Sequence, residues 1–422
     1  MSDLMKILLA TYWALPQLGG VWTLMCEIKE RLESYGHEVD ILGNCQDSSG
    51  YQIINKNLVI KKEQLIPVLS TPINRQSSLV ANVNKVGFDF ELDLYCMELA
   101  VSYFGLEQYD IIHTHDVISS RCMSRVKPKQ TPLFTSIHGV LAREIIRFNK
   151  FHNPNVSIEE ILKSTGWLQA WVLDKLGSHS ADLIHFSSTW TKDIFIEDYG
   201  LSNDRIVTFQ YGMNIDEFSN KMNHPTEIKK PQDKKVIIYT GRLVDLKGVQ
   251  ILLPALSQLK KEREDWVCWI AGDGVMKLPL QKLSAQLNLN EFVEFLGARD
   301  DIPALLKQSD IFVLPSLQDN MPLSLIEAQI AGKASVISDA GGLPDMVKHG
   351  ETGLIAPAGE SEPLFEHLKT LLENDSYRNK LADNAKQWAF KHWSIDLMTE
   401  RLLKIYKNMI ENDDNTIGQL DL

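Results

Sequence analysis

The chain has 422 residues and a formal net charge of −12, with 44% hydrophobic and 23% charged residues. This length exceeds the usual size of one domain, so we expect two or three domains with the composition of an ordinary soluble enzyme. The acidic balance argues against a partner role for nucleic acid, because proteins that bind nucleic acid present a basic face to the phosphate backbone.

The cysteine content and the apolar runs predict a cytoplasmic protein. The five cysteines are scattered and include no C-x-x-C pair, which favours reduced thiols over disulfides or a zinc site. The N-terminal run LMKILLA lacks a small-residue cleavage site, so it predicts a buried first strand and not a signal peptide. No run approaches the ~18 apolar residues that a membrane-spanning helix requires.

The first half of the chain alternates short apolar runs with helical patterns. Runs such as LMKILLA, DIIHTHD and PLFTSIHG are bounded by Gly, Asp or polar turn residues. These runs predict parallel strands that are buried on both faces and joined by crossover helices. We therefore predict a Rossmann-like domain over residues 1–215. The polar, aperiodic residues 213–235 indicate an interdomain linker.

A second alternation of strands and helices begins at KVIIYTG and predicts a second Rossmann-like domain over residues 216–393. The expected fold class is α/β, with the two domains facing each other across a cleft. An amphipathic stretch predicts a final helix at 394–412, and residues 413–422 form a predicted flexible tail. The predicted helices of the second domain span residues 248–262, 275–288 and 322–331.

The stretch LPSLQDNMPLSLIEAQIAGK, residues 314–333, combines a strand end with a short apolar helix. Pro322 fits the first turn of that helix, and Gly332 fits its C-terminal cap. Ligands of open parallel sheets bind where a strand leads into a helix, and the free N–H groups of the helix start can hold an anion. The candidate N–H groups lie near Met321 and Leu323, and Asn320 and Pro322 complete the candidate ligand-binding segment at this helix start.

Two acids, Asp319 and Glu327, stand eight positions apart around this helix start. Glu327 lies about 8 Å along the helix axis from its start, since each residue rises ~1.5 Å. A ligand anchored there by phosphate would place its ribose beside Glu327, and Asp319 would face the group on the other side of the phosphates. The alternative is that Asp319 caps the helix and Glu327 is a partly exposed helix acid.

Two further loops carry features that are typical of phosphate binding. In TGRLVDLKG, residues 240–248, Arg242 and Lys247 follow a strand and could neutralise a diphosphate as a guanidinium fork and a point charge. The alternative is a pair of solvated loop cations. Gly19 and Gly20 follow the first strand, where glycines let a ligand approach the backbone, although a plain tight turn would use them equally well.

Histidines cluster at the predicted strand ends of the first domain. His138 ends the run TSIH, and His115 with His113 ends DIIHTHD, so His138 is the candidate to touch a reacting group at the cleft. The alternative is a structural histidine. The sequence has no D-x-D and no His, Asp or Glu cluster with metal-ligand spacing, so neither a metal ion nor any other cofactor is expected.

The stretch 121–150 is basic, with seven Lys and Arg against one acid, Glu144. Arg143 and Arg147 are four apart and would share a helical face, so we take them with His115 as candidates for contact with a second substrate, the acceptor of a transferred group. A local positive patch suits a phosphate-bearing or lipid-linked acceptor, or peripheral contact with the anionic inner face of a membrane. The alternative is a solvated face balanced by acids from elsewhere in the fold.

With these motifs placed, the chain resembles the family 4 glycosyltransferases of the GT-B fold. The most specific part of the resemblance runs through TGRLVDLKG, IAGDG, DIFVLPSLQDNMPLSLIEAQIAGK and GGLPDMVKHGETGLIAP, where order and spacing match. The family's E-x7-E motif corresponds to Asp319 and Glu327, with a shortened first acid. The resemblance also implies that the last helix crosses back to the first domain.

The resemblance implies roles for individual residues. Arg242 and Lys247 would bind the diphosphate of a nucleotide-sugar donor, and Glu327 its ribose. Asp319 and the backbone after it would hold the sugar, which His138 would also contact. Gly20 would belong to the loop that closes over the phosphates.

The function so implied is that of a retaining, metal-independent hexosyltransferase that uses a nucleotide-diphosphate sugar, with UDP favoured as the nucleotide. The acceptor hydroxyl would belong to a cell-surface polysaccharide, a glycolipid or a small-molecule glycoside. Two alternatives stay open: a nucleotide-sugar binding or scaffold protein without turnover, and a GT-B nucleotide-sugar epimerase. A dehydrogenase is disfavoured because the G-x-G-x-x-G fingerprint is missing.

Overall fold

Two β-sheets organise the computed structural model, which describes residues 4–16, 20–70 and 85–411. Contacts divide the chain into two units. Unit 1 contains the residues up to Ser187, then Thr191–Phe209 and the chain from Met398 onward. Unit 2 contains Ser188–Trp190 and Gln210–Leu397. The predicted flexible tail, residues 413–422, lies outside the described residues, as does Gly19.

Unit 1 is built on an eight-stranded sheet with the order β4-β3-β2-β1-β5-β6-β7-β8. The six strands from β2 to β8 in this order pair in parallel, and β3 and β4 extend one edge antiparallel. The strands are β1 Lys6–Leu15, β2 Glu38–Cys45, β3 Gly50–Ile53, β4 Leu58–Lys61, β5 Ile111–Thr114, β6 Leu133–Ile137, β7 Leu183–Phe186 and β8 Ile206–Thr208.

Helices connect these strands, as the alternating pattern predicts. The helices up to residue 197 are α1 Gly20–Ser34, α2 Lys62–Ser70, α3 Lys85–Phe104, α4 Val117–Val126, α5 Leu141–His152, α6 Ile158–Leu162, α7 Thr165–Ser180 and α8 Thr189–Glu197. The central strands β5, β6 and β7 are buried along their whole length, which explains their continuous apolar runs.

Unit 2 is built on a six-stranded parallel sheet with the order β11-β10-β9-β12-β13-β14. Its strands are β9 Lys235–Thr240, β10 Trp266–Ala271, β11 Val293–Gly297, β12 Ile311–Leu314, β13 Ala334–Ser338 and β14 Leu354–Ala356. Its helices are α9 Ile215–Lys221, α10 Val249–Glu262, α11 Lys277–Gln286, α12 Ile302–Gln308, α13 Leu323–Ile330, α14 Ser361–Glu373 and α15 Asp375–His392. The last helix, α16 Ile395–Glu411, begins in unit 2 and belongs to unit 1 from Met398 onward.

The α/β fold class with two Rossmann-like units is therefore confirmed, and the element pattern differs from the prediction in two places. The antiparallel strands β3 and β4 at the sheet edge were not predicted. The stretch predicted as an aperiodic linker contains the helix α9, Ile215–Lys221. The side chain of Asn214 caps this helix by accepting from the backbone N–H of Glu217, at 3.1 Å. Only Ile215 and Phe218 are apolar in it, so hydrophobic periodicity gave no signal.

Two further observations concern the cysteines and the length of the helices. All five cysteines are free thiols, as their spacing predicts. Among the described residues, none of the helices combines the length and the apolar character that crossing a membrane requires.

A buried chain of hydrogen bonds joins the last helix, α16, to the strands of unit 1. Tyr406 lies 2.6 Å from Nδ1 of His113, and Nε2 of His113 lies 2.8 Å from the hydroxyl of Ser136. That hydroxyl lies 2.9 Å from Nδ1 of His185, whose Nε2 lies 2.7 Å from the carbonyl of Phe209. All these side chains are buried, so each depends on its neighbour for a partner.

The carbonyl of Phe209 determines which group donates in each hydrogen bond of this series. A carbonyl can only accept, so His185 donates from Nε2 and must accept from Ser136 at Nδ1. Ser136 then accepts from Nε2 of His113, whose Nδ1 accepts from the hydroxyl of Tyr406. Burial lowers the pKa of His185 to about 4 and that of His113 well below its ordinary value, which keeps both rings neutral at pH 7.

Replacing Tyr406 with Phe should destabilise unit 1. The change removes the donor to Nδ1 of His113 and leaves a fully buried acceptor without a partner, at a cost of about 1–3 kcal/mol in the free energy of unfolding. Urea denaturation followed by fluorescence measures this as a lowered midpoint. Tyr103→Phe is the control, because Tyr103 is 63% exposed and its change should shift the midpoint little. Equal midpoints for both variants would contradict the assigned chain.

Candidate functional site

The loops that follow β9 and β12 meet at the centre of the unit 2 sheet, where these two strands pair in parallel. The backbone N–H of Leu317 donates to the carbonyl of Leu246 at 2.7 Å and ties the loops together. Gly248 has a φ of 70°, and a Cβ there would lie 1.8 Å from the carbonyl oxygen of Pro315. Only glycine allows this approach, which brings the TGRLVDLKG loop against the start of the LQDNMP loop.

An ion pair connects the two loops at their tips. Nζ of Lys247 lies 2.6 Å from Oδ2 of Asp319, and both side chains are largely buried, at 15% and 12% exposure. The hydroxyl of Ser316 donates to the same oxygen at 2.9 Å. Ser316 is itself fully buried. The sequence predicted Lys247 and Asp319 as separate ligand-binding residues, and the structure brings them into direct contact.

Arg242 stands at the exposed end of the same loop. The hydroxyl of Tyr239 donates to the backbone carbonyl of Arg242 at 2.8 Å and so fixes the position from which the guanidinium extends. Burial, and then the nearby charge of Asp319, raises the pKa of Tyr239, which keeps this hydroxyl protonated as a donor. Arg242 can therefore reach a ligand from a fixed backbone position.

A third loop, after β13, holds the backbone of Asp319. The N–H of Gly342 donates to the carbonyl of Asp319 at 3.0 Å. Gly341 has a φ of 63°, and a Cβ at this position would lie 1.9 Å from the same carbonyl oxygen. The glycine pair in DAGGLPD is thus required for the position of Asp319, and the sequence analysis did not identify this role. The available signal was a Gly-Gly pair two residues after the end of a buried strand.

The residues after Asp319 lead into the helix α13, which begins at Leu323 with Pro322 as its N-cap. Pro322 makes no side-chain cap, and Asp319 pairs with Lys247, so the alternative in which Asp319 caps the helix is wrong. Asn320 accepts from the hydroxyl of Ser188. The sulfur of Met321 accepts from the N–H of Tyr211 at 3.4 Å.

Glu327 lies in the second turn of α13 and is partly exposed between buried neighbours. The helix itself is anchored by Gln329, which donates to the carbonyl of Met346 at 2.9 Å and accepts from the indole N–H of Trp393 at 2.6 Å. Gly332, at a φ of 64°, ends the helix as predicted. Sequence reasoning missed the anchoring role of Gln329, because its partners lie far away along the chain.

In unit 1 the predicted histidines occupy the ends of adjacent strands. Nδ1 of His115 lies 3.1 Å from Nε2 of His138, and the rings of His113 and His115 stack at 4.2 Å. Burial, and then the charge that His185 would carry, lowers the pKa of His138 to about 3. His138 is therefore neutral at pH 7 and can act as a hydrogen-bonding group, not as a cation. Gly20 is exposed and is the first residue of α1.

The basic stretch 121–150 is partly balanced by acids from outside it. Arg143 pairs with Asp198 at 3.0 Å, and both side chains are about half exposed. Three more of the seven cations pair in the same way, which gives the contacts Arg121–Glu91, Arg125–Glu98 and Lys127–Asp182. The local positive charge is thus smaller than the sequence alone indicates. Arg147 lies on the same helix, α5, and is partly buried.

The acids and histidines of the described ranges form no group of three or more that could hold a metal ion. The loops of unit 2 described above offer cations, backbone N–H groups and carboxylates. Lys247 and Arg242 can neutralise an anion, while Asp319 and Glu327 can accept hydrogen bonds from hydroxyl groups.

Comparisons with known proteins agree with these units. The pattern of Glycosyltransferase Family 4 matches residues 18–217, and that of Glycosyl transferases group 1 matches residues 220–388. The uncharacterized glycosyltransferase MJ1607 of Methanocaldococcus jannaschii is 25% identical over 417 residues, covering 96% of this chain and 99% of that protein.

Two further similarities concern one relative and one solved structure. An N,N'-diacetylbacillosaminyl-diphospho-undecaprenol alpha-1,3-N-acetylgalactosaminyltransferase of Campylobacter jejuni is 31% identical over 52% of this chain and 58% of its own. The crystal structure of Anabaena HepE in complex with UDP has a TM-score of 0.64 and 19% identity, covering 96% of this chain and 100% of that one. The chain belongs to the family 4 glycosyltransferases and has the GT-B fold.

Proposed function

We propose that this glycosyltransferase moves a sugar, with retention of its anomeric configuration, from a UDP-sugar to an acceptor hydroxyl. The observation that carries the proposal is the placement of Lys247 and Arg242 on one loop, beside the start of α13. Cleavage of the bond between sugar and phosphate leaves negative charge on the diphosphate. Cations that are already fixed in position stabilise that charge without reorganising as it develops.

The start of α13 contributes to the same diphosphate site. Pro322 has no N–H, and the N–H of Leu325 donates to the carbonyl of Pro322 at 3.1 Å, so the first N–H groups offered to an anion belong to Leu323 and Ser324. Such groups favour an anion, and the partial positive charge of the helix start adds to the effect. Asn320 and Met321 are held by Ser188 and Tyr211, which fixes the backbone that leads into the helix.

Glu327 is proposed to bind the ribose of the donor. Its carboxylate can accept from both ribose hydroxyls, and it stands in the second turn of the helix whose start would hold the phosphates. Asp319 uses Oδ2 for Lys247 and Ser316, and its Oδ1 can accept from a hydroxyl of the sugar. The role that the family resemblance gives His138, contact with the reacting sugar, stays a prediction, as does the role of Gly20.

UDP as the nucleotide and a phosphate-bearing acceptor are the finer parts of the proposal. The structural similarity to HepE, solved with UDP, supports the nucleotide, and the diphospho-undecaprenol in the name of the Campylobacter relative supports a lipid-linked acceptor. Arg143 and Arg147 are the acceptor-side candidates, together with His115. We further propose a cytoplasmic enzyme that contacts the inner face of the membrane peripherally.

A donor screen tests the proposal. UDP-, GDP- and ADP-sugars are incubated with the protein and a set of acceptors that includes a sugar linked to a lipid diphosphate. The released nucleoside diphosphate is measured, together with the anomeric proton signals of the product by NMR. We expect release of UDP and a product with the anomeric configuration of the donor. Binding without release would favour the scaffold alternative, and an epimerised nucleotide sugar without a transferred sugar would favour the epimerase alternative.

Arg242→Ala and Lys247→Ala should each lower kcat by about 10²-fold or more, because the charge that they neutralise grows in the transition state. Steady-state release of UDP measures the effect. Lys348→Ala is the matched control, since Lys348 is also paired with an acid, Glu351, but is 67% exposed. Turnover near that of the wild type in both site variants would contradict the proposed diphosphate site.

Removal of divalent ions should leave the rate unchanged, because the proposed diphosphate site neutralises charge with Lys247 and Arg242. The measurement is UDP release before and after dialysis against EDTA. Readdition of Mg²⁺ or Mn²⁺ serves as the control. A rate that disappears with EDTA and returns with either ion would show that a metal carries the charge that we give to the two side chains.

Glu327→Gln should remove discrimination between UDP and 2′-deoxy-UDP. The wild type should prefer UDP, because the carboxylate accepts from the ribose hydroxyl that the deoxy compound lacks, and the amide is a weaker acceptor. Calorimetric titration gives both affinities, with inorganic pyrophosphate as the control ligand that both proteins should bind equally. An unchanged preference for UDP in Glu327→Gln would assign the ribose to another group.

A further inference from the structure

The Lys247–Asp319 pair is built into two loops that the fold fixes independently. Lys247 ends a tight turn in which its N–H donates to the carbonyl of Val244 at 3.0 Å. Asp319 is held through its backbone by Gly342 and through its carboxylate by Ser316. Neither partner is a mobile surface side chain, and a largely buried pair of this kind is only weakly screened by salt.

The ion pair with Asp319 opposes the role that we propose for Lys247. The proposed function requires the ammonium group of Lys247 to neutralise a diphosphate, whereas the structure shows it neutralised already by Asp319 at 2.6 Å. A diphosphate that approaches Lys247 also approaches the carboxylate, and like charges at short range repel. Asp319 must therefore lower the affinity for any anion that Lys247 binds.

The repulsion differs between donor and product. In a UDP-sugar each phosphate carries about one negative charge, because the terminal phosphate is esterified to the sugar. After transfer, that phosphate is no longer esterified to the sugar, and its second ionisation has a pKa of about 6. The product therefore carries close to one more negative charge than the donor at pH 7.5. The added charge appears where the sugar was attached, which is the side that we assign to Asp319.

We propose that Asp319 is a charge gate for the product: it repels the free nucleoside diphosphate more than the donor, so that the product leaves and the donor can bind. This inference rests on the proposed function of the same site. It gives the carboxylate a role that a neutral hydrogen-bonding side chain of the same shape would not supply. Asp319 can accept a hydrogen bond from the sugar through Oδ1, while the charge of its carboxylate acts directly on the diphosphate.

Asp319→Asn tests the gate, because the amide keeps the shape of the side chain and removes its charge. Calorimetric titrations at pH 7.5 and low salt use three probes: inorganic pyrophosphate, UDP and UDP-glucose. We expect the variant to bind UDP and pyrophosphate about tenfold more tightly and UDP-glucose with a smaller gain. Product inhibition by UDP should strengthen by the same factor.

Two controls separate the gate from a general change in charge or contact. Glu351→Gln removes the acid of an exposed ion pair with Lys348 in the same unit and should leave all three affinities unchanged. Ser316→Ala removes a hydrogen bond to Asp319 but keeps both charges, so it should also give no tenfold gain. Thermal melting of each variant shows that it folds.

A double-mutant cycle separates repulsion of the diphosphate by Asp319 from mere competition for Lys247. Because the carboxylate repels the diphosphate directly, the gain from Asp319→Asn should persist when Lys247 is already replaced by Met. A gain that disappears in the Lys247→Met background overturns the gate. Equal or weaker binding of UDP by Asp319→Asn also overturns it and leaves the proposed function intact. Failure of the wild type to bind any of the three probes overturns the proposed function and the gate together.

Discussion

The ion pair between Lys247 and Asp319 is the interaction on which the candidate site depends. It joins two loops that lie 72 residues apart along the chain, and it places a cation and a carboxylate next to the start of α13. Three close backbone approaches, at Gly248, Gly341 and Gly342, hold the loops near enough for the pair to form. The parallel sheet of unit 2 supplies the frame, because it brings all three loops to the ends of neighbouring strands.

Unit 1 depends on a different kind of constraint, a buried chain of hydrogen bonds with one direction. Since Phe209 can only accept, the proton positions of His185, Ser136 and His113 follow, and Tyr406 supplies the last donor. The chain ties α16 to the strand ends that also carry His115 and His138. Both histidine rings of this series are neutral at pH 7, so it stabilises unit 1 through hydrogen bonds and not through charge.

The sequence predicts the parallel strands of both units, because continuous apolar runs act locally, but it does not predict the antiparallel edge strands β3 and β4. It fails at α9, where a capping Asn replaces hydrophobic periodicity. It also overestimates the charge around Arg143, whose partner Asp198 lies just after the end of α8. The residue types of the site follow from motifs. The contacts of Asp319 with Lys247, Ser316 and Gly342 do not, because they arise only when distant loops meet.

The most direct test of this account is the electron density of a nucleoside diphosphate in crystals of the protein soaked with UDP. The account predicts density for both phosphates at the start of α13, with Nζ of Lys247 within about 3 Å of a phosphate oxygen. It also predicts that the ribose lies beside Glu327. A diphosphate that is well defined elsewhere, or a nucleotide at this helix with its phosphates away from Lys247, would contradict the account.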